Sequence, residues 1–195
     1  MPKVSVIIPN YNHAPFLRER IDSVLNQTYG DIEVILLDDC STDNSVSVLE
    51  SYRSNPKVSA VVLNTENSGS TFKQWQKGFD LAKGEFIWIA ESDDFADADF
   101  LAEALKELEA DENRVLSYAD SEMVDKDSQP LPIDWDKYGS TENQTYESDF
   151  FFKKVLLWHN CLYNASAIVF RRSAIAGIDG GYKSMRYCGD WYFWS

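Results

Sequence analysis

Positive charge is scarce in this 195-residue chain: 18 Lys and Arg face 32 Asp and Glu, a formal net charge of −14. Nucleic-acid backbones are bound through clustered Lys and Arg, so DNA and RNA are excluded as partners. Broad contact with an anionic membrane surface is disfavoured for the same reason. A phosphate-bearing ligand stays compatible if a divalent cation sits between it and the carboxylates. The three cysteines, Cys40, Cys161 and Cys188, are few and widely spaced. They supply neither a disulfide framework nor a paired zinc spacing, which points to a reduced compartment. His13 and His159 stand alone and read as surface or satisfied histidines. No run approaches the roughly 18 apolar residues of a membrane span. The apolar stretch after Met1 reaches polar Asn10 too soon for a signal-peptide core. Neither G-x-x-x-x-G-K-[ST], G-x-G-x-x-G nor G-x-S-x-G occurs, so a P-loop, a dinucleotide fingerprint and a hydrolase elbow are all absent.

What is present is ordinary globular material, 44% hydrophobic and 26% charged, of a length that suits one α/β domain. Val4-Ser5-Val6-Ile7-Ile8-Pro9 reads as a buried strand stopped by proline. Leu17, Ile21, Val24 and Leu25 follow at helical spacing within residues 15–28. A second apolar run at 32–37 ends in Asp38-Asp39, and Ser41-Thr42-Asp43 resembles a helix start. Strands are expected over 58–63, 86–90 and from 115, with helices over 71–83, where Lys83-Gly84 gives a C-terminal stop, and along Leu101, Ala104, Leu105 and Leu108. Such alternation predicts a mostly parallel sheet with ligands beyond the carboxyl ends of its strands. Residues 126–148 lack periodicity and read as a long loop or lid. A helix over 149–158 and a strand over 165–170 follow, and Gly189 opens another helix. The pattern breaks off at Ser195 without a cap, as expected for a piece of a longer protein.

Polar clusters fall at three strand ends. Asp93-Asp94 places two carboxylates side by side, which repel unless a cation or hydrogen bonds hold them. Hard oxygen ligands suit Mg²⁺ or Mn²⁺; the plainer alternative is a helix N-cap with a spare acid. Asp39 could accept a hydrogen bond from a base or ribose, or serve only as a turn residue. In Pro9-Asn10-Tyr11-Asn12 the Tyr11 ring could lie under a nucleobase, against the alternative of an ordinary turn. Asp190 precedes the aromatic run of residues 191–194, and apolar bulk beside it would favour a general base; the alternative is a helix cap.

In chain order these segments resemble the family-2 glycosyltransferases of the GT-A fold, a Rossmann-like sheet flanked by helices in a single domain. The resemblance runs through Val4-Ser5-Val6-Ile7-Ile8-Pro9-Asn10-Tyr11-Asn12, Ile21-Asp22-Ser23-Val24-Leu25-Asn26-Gln27-Thr28-Tyr29, Glu33-Val34-Ile35-Leu36-Leu37-Asp38-Asp39-Cys40-Ser41-Thr42-Asp43, Asn67-Ser68-Gly69, Gly84-Glu85-Phe86-Ile87, Ser92-Asp93-Asp94 and Gly189-Asp190. It implies an inverting transfer from a nucleotide-diphosphate sugar, foremost a UDP-sugar, to a glycan or lipid-linked hydroxyl in cell-surface polysaccharide assembly. It implies donor contacts from Pro9, Tyr11, Asn12, Asp39 and Asp93, Mn²⁺ or Mg²⁺ on Asp94 with help from Asp93, and Asp190 as base. A nucleotide-binding half near 1–112 and an acceptor-side half near 113–195 follow from it, as does a cytoplasmic location at or near the inner face of the membrane. The chain departs from the pattern at Glu91, where the family's acidic run begins with Asp, at Gln74-Trp75-Gln76 in place of Ala-Arg-Asn, and at Ala98 and Gly189, which replace Pro and Glu. The rival functions are a nucleotidyltransferase of similar topology, which lacks its phosphate loop here, and a non-catalytic nucleotide- or carbohydrate-binding module.

Overall fold

The strand-forming segments come together, in this computed structural model, as one six-stranded sheet with helices on both faces; the structure describes residues 1–132 and 143–195. β1 (Val4–Asn10) and β2 (Ile32–Asp38) are buried along their whole length. Central strands covered on both faces require continuous apolar runs, which these two segments supply. Val4, Val6 and Ile8 of β1 point into a core shared with α1 (Ala14–Leu25), α2 (Ser45–Ser51) and α4 (Phe100–Ala110). Ile7 points the other way, with Ile35 and Leu37, toward α3 (Thr71–Leu81) and α6 (Gly189–Trp194). Phe72, Trp75 and Phe79 bury the inner stripe of α3 in that second core. Each contributes roughly 1.5–3 kcal/mol by leaving water.

With β3 (Val58–Leu63), β4 (Phe86–Ile89), β5 (Leu116–Tyr118) and β6 (Ile168–Arg171), the strand order is β3-β2-β1-β4-β6-β5. β1 to β4 run parallel, whereas β6 is antiparallel to both β4 and β5. The chain moves outward from β1 to β3 and then returns to the opposite flank of β1 as β4. A crevice therefore opens beyond the carboxyl ends of β1 and β4, where open α/β sheets take their ligands.

Several local expectations change. Pro9 does not end β1, whose pairing with β2 runs on to Asn10–Asp38. Pairing with β4 stops at Ile7–Ile89, so the N–H that Pro9 lacks has no strand to serve on that side. Gly84 is not a left-handed helix cap, because α3 ends at Leu81 and, among the described residues, Gly69 is the glycine with positive φ. Its small size is needed for another reason: a Cβ there would lie 2.5 Å from the backbone nitrogen of Ser5. Ser5 Oγ accepts from the Gly84 and Lys83 amides at 2.8 and 3.1 Å and donates to buried Glu33 at 2.6 Å, tying the start of β4 to β1 and β2. The helix expected over 149–158 is shorter, α5 (Ser148–Phe151) leading into a π-type turn (Phe152–Leu156). The strand expected from 165 begins with a 3₁₀ turn (Ala165–Ala167) capped by Asn164. Of the loop expected over 126–148, residues 133–142 lie outside the described residues. No helix among the described residues is long and apolar enough to cross a membrane.

Candidate active site

The two carboxylates at the end of β2 do different work. Asp38 accepts from Asn10 Nδ2 at 2.8 Å, Ser41 Oγ at 2.6 Å and the Ser41 amide at 2.8 Å, which locks the ends of β1 and β2 together. Asp39 is buried and faces the loop before α3. Its Oδ1 accepts from Asn64 Nδ2 (2.6 Å), the Ser68 amide (2.9 Å) and Gln74 Nε2 (2.8 Å), while among the described residues Oδ2 accepts only from Ser68 Oγ (2.8 Å). A carboxylate oxygen takes about two donors comfortably, so Oδ2 keeps room for one more. Lys77 Nζ donates to Asn64 Oδ1 behind this cluster.

At the end of β1 the three expected donor contacts separate. Pro9 is buried within the strand, whereas Tyr11 stands 47% exposed with its ring free for stacking. Asn12 has φ 58°, in the left-handed region that Asn tolerates. Its Oδ1 accepts from the Thr42 amide at 2.7 Å, and its own amide donates to Ser41 Oγ at 2.9 Å. That side chain clamps two loops together, leaving only its Nδ2 for a ligand.

Beyond β4, the Glu91 carboxyl turns away from solvent and accepts from Trp75 Nε1 at 2.7 Å. Desolvation pushes its pKa up to about 7, with Asp93 and Asp94 adding to the rise and the Trp75 bond and Arg20 opposing it. Ser92 Oγ lies 2.8 Å from His13 Nδ1, so His13 is a satisfied histidine; it also stands 3.9 Å from Asp93 Oδ1. Asp93 is exposed and Asp94 half-buried. Beneath them lies Arg20, fully buried, donating from Nε to the Glu91 carbonyl at 2.8 Å, with Nη2 4.0 Å from Asp94 Oδ2. Burial pulls the Arg20 pKa down to about 10, partly offset by Asp94, Glu91 and Asp93, so it remains a cation at neutral pH.

Asp190 sits in the first turn of α6 and accepts from Asn160 Nδ2 at 3.1 Å. Cys188, with φ 57°, turns the chain into this helix. Gly189 has no room for a side chain, because a Cβ would come within 2.7 Å of Phe72 Cζ. One helix is therefore tied to all three segments: Phe72 of α3 packs on Gly189 next to Asp190, Gln74 bonds Asp39, and Trp75 bonds Glu91 while meeting Phe193 edge-on at 5.7 Å and Trp194 at a tilt at 6.2 Å.

The sequence profile of Glycosyl transferase family 2 matches residues 5–176. The chain belongs to that family. Glycosyltransferase GlyG of Streptococcus pneumoniae is 41% identical over 91 residues, 47% of this chain and 30% of GlyG. Poly(ribitol-phosphate) beta-N-acetylglucosaminyltransferase TarS of Staphylococcus aureus is 33% identical over 118 residues, 60% of this chain and 20% of TarS. In three dimensions TarS 1–349 in complex with UDP matches with TM-score 0.68 at 23% identity, over 98% of this chain and 54% of that one, a likeness of fold. Mannosyltransferase PcManGT of Pyrobaculum calidifontis, in complex with GDP-Man and Mn²⁺, matches with TM-score 0.55 at 30% identity, over 62% of this chain and 36% of that one. The chain thus spans about half or less of each of these relatives.

The acidic residues that directly follow β4 are Glu91, Asp93 and Asp94. Among the described residues no three His, Cys, Asp or Glu converge as a ready-made cage. Glu91 is engaged with Trp75, leaving Asp93 and Asp94. Two hard carboxylates, with the remaining positions left to phosphate oxygens and water, is the usual manner of holding Mg²⁺ beside a diphosphate. These residues fit a cation that binds together with a nucleotide. His13 is satisfied, one of the two readings the sequence allowed, and Gln74-Trp75 stood out as a departure from the family pattern, but the contacts of Gln74, Trp75, Arg20 and Asn160 were not legible in the sequence. Arg20 falls on the same helical stripe as Leu17, Ile21 and Val24.

Proposed function

We propose that the chain is the catalytic domain of an inverting, metal-dependent glycosyltransferase that draws its sugar from a nucleotide-diphosphate sugar, foremost a UDP-sugar. Residues near 1–112 form its nucleotide-binding half and residues near 113–195 its acceptor-side half. The observation that carries the reading is the contact of α3 with Asp39, with Glu91 beside Asp93-Asp94, and with the helix bearing Asp190. Those contacts support a shared crevice for the acidic positions Asp39, Asp93, Asp94 and Asp190, which are distant in sequence. The ligands of similar structures add support: TarS is solved with UDP and with UDP-GlcNAc, and PcManGT with GDP-Man and Mn²⁺.

In this mechanism Tyr11 stacks on the base, with Pro9 behind it, and Asp39 Oδ2 takes a hydrogen bond from the base. Asn12 holds the loop that carries Tyr11, and its free Nδ2 faces the donor. Asp93 contacts the ribose or shares the cation with Asp94. Asp190 removes the proton of the acceptor hydroxyl while its oxygen attacks the anomeric carbon in line. The bond from that carbon to the diphosphate oxygen breaks, the electron pair leaves with the diphosphate, and configuration inverts. Mn²⁺ or Mg²⁺, when bound, supplies charge neutralisation for the departing diphosphate. Asn160, bonded to Asp190, fixes the direction of the carboxylate. The acceptor is a glycan or lipid-linked hydroxyl of a cell-surface polysaccharide, reached from the cytoplasmic side at or near the inner face of the membrane.

Thermal melts with UDP, GDP and CDP, each with and without Mn²⁺, test the reading. A ligand at 100 times its Kd stabilises by about 2.7 kcal/mol, so one nucleotide should raise Tm by several degrees, and only with the cation. No shift with any nucleotide refutes the proposal. Asp190→Asn should abolish transfer while donor affinity stays within a few-fold. Transfer surviving in that variant removes Asp190 as base, and a wild-type chain that binds nucleotide without transfer is a binding module.

A further inference from the structure

Arg20 is an anomaly within the α1 core stripe. Its side chain is fully buried between α1 and β4, with its guanidinium 5.4 Å from the Trp88 ring centre. Nε is hydrogen-bonded; Nη1 and Nη2 are buried and have no hydrogen-bond partner among the described residues. A leucine would fill a helix face at far smaller desolvation cost, because buried charged donors left unpaired are expensive. The guanidinium also has a direction. Nη2 lies 4.0 Å from Asp94 Oδ2, too far for a hydrogen bond but within ion-pair range. Glu91 and Asp93 complete the acidic group that faces it.

We propose that Arg20 is a built-in counter-cation that keeps the Asp93-Asp94 pair from holding a divalent cation until a nucleoside diphosphate arrives. This rests on the functional reading above. Without nucleotide, Arg20 already neutralises part of the charge on Asp94 from below. A divalent ion on the outer side of that carboxylate feels the repulsion of a fixed positive charge through protein, where salt screens little. The diphosphate brings negative charge to the outer side and reverses the balance. Cation and nucleotide therefore bind as a coupled pair, and the coupling is reciprocal. Arg20 touches neither substrate nor cation; it is a positioning and charge-balancing residue acting through Asp94.

The test measures free Mn²⁺ by electron paramagnetic resonance in titrations of wild type, Arg20→Met, Arg20→Gln and Asp94→Asn, with and without UDP. In the wild type, UDP should tighten Mn²⁺ binding at least ~10-fold, and Mn²⁺ should tighten UDP by the same factor. Arg20→Met and Arg20→Gln should bind Mn²⁺ alone roughly 10-fold more tightly than the wild type, with the UDP-induced gain shrinking in proportion. Asp94→Asn should lose Mn²⁺ in every case. Folded Arg20 variants, judged by cooperative melting, that bind bare Mn²⁺ no more tightly than wild type overturn the role of Arg20. So does wild-type Mn²⁺ binding that is indifferent to UDP, a result that needs no variant to fold. A wild-type chain that takes up no UDP at any Mn²⁺ concentration refutes the functional reading instead.

Discussion

In alkaline buffer the Glu91 carboxyl must carry its charge inside the protein, beside Asp93 and Asp94. Its pKa stands at about 7, against the ordinary 4.5, chiefly because burial penalises the ionised form. The folded chain therefore holds this proton more tightly than the unfolded chain does. Stability from this group is complete below pH 4.5 and is lost as pH rises through about 7. A gap of about 2.5 pH units at about 1.4 kcal/mol per unit sets the loss near 3.5 kcal/mol as an upper figure. Glu91→Gln keeps the shape and an oxygen for the Trp75 N–H but cannot ionise. In EDTA, to exclude bound cations, the variant should melt with the wild type at pH 5 and above it at pH 8.5. For a domain of this size 1 kcal/mol corresponds to about 2–4 °C, so the separation at pH 8.5 should reach several degrees, about 14 °C at most. Calorimetry at half-unit pH steps measures it. Wild type and variant running parallel from pH 5 to 8.5 would refute the claim that Glu91 is held out of water.

Asp94→Ala should remove the cation dependence of nucleotide binding, seen in isothermal titration of UDP with Mn²⁺ or EDTA; dependence that persists moves the ligand elsewhere. Gly189→Ala drives a methyl group into buried Phe72, which Trp75 and Tyr182 support from behind at 5.1 and 6.3 Å. Overpacking of this kind costs about 1–3 kcal/mol, and because the strain moves the helix that carries Asp190, turnover should fall at least ~10-fold with UDP affinity unchanged. Normal turnover at a lowered Tm would detach Asp190 from the α3 contact.

Much of this architecture was legible because the central strands are covered on both faces. Residues 32–37 could not be a half-exposed strand, and the stripe through Leu17, Ile21 and Val24 could not be anything but a packed helix. The acidic strand ends were legible too, since a polar run after a buried strand marks where the sheet meets solvent. What could not be read were long-range partners. Nothing near Trp75 announces Glu91 sixteen residues on, nothing near His13 announces Ser92, and nothing in residues 165–170 says that β6 runs against its neighbours. Asn12 shows the same limit from the other side. Its place in the chain suggested a ligand contact, yet its oxygen is taken by the Thr42 amide thirty residues away.

Two departures from the family pattern, Glu91 for Asp and Trp75 within Gln74-Trp75-Gln76, looked independent along the chain. In the fold they are one feature. The indole N–H reaches the Glu91 carboxyl at 2.7 Å; an Asp would withdraw the carboxyl by about one C–C bond, ~1.5 Å, and leave a buried donor unpaired. Conversely, without Trp75 the longer acid would have no neutral donor here. The pair takes the first acid of the run out of reach of a cation and turns it into a link between β4 and the aromatic cluster that seats α6. That leaves two carboxylates, not three, on the solvent side, with the charge of Arg20 beneath them. A rim so balanced has little attraction for a cation by itself, and a diphosphate is the ligand whose charge would restore it.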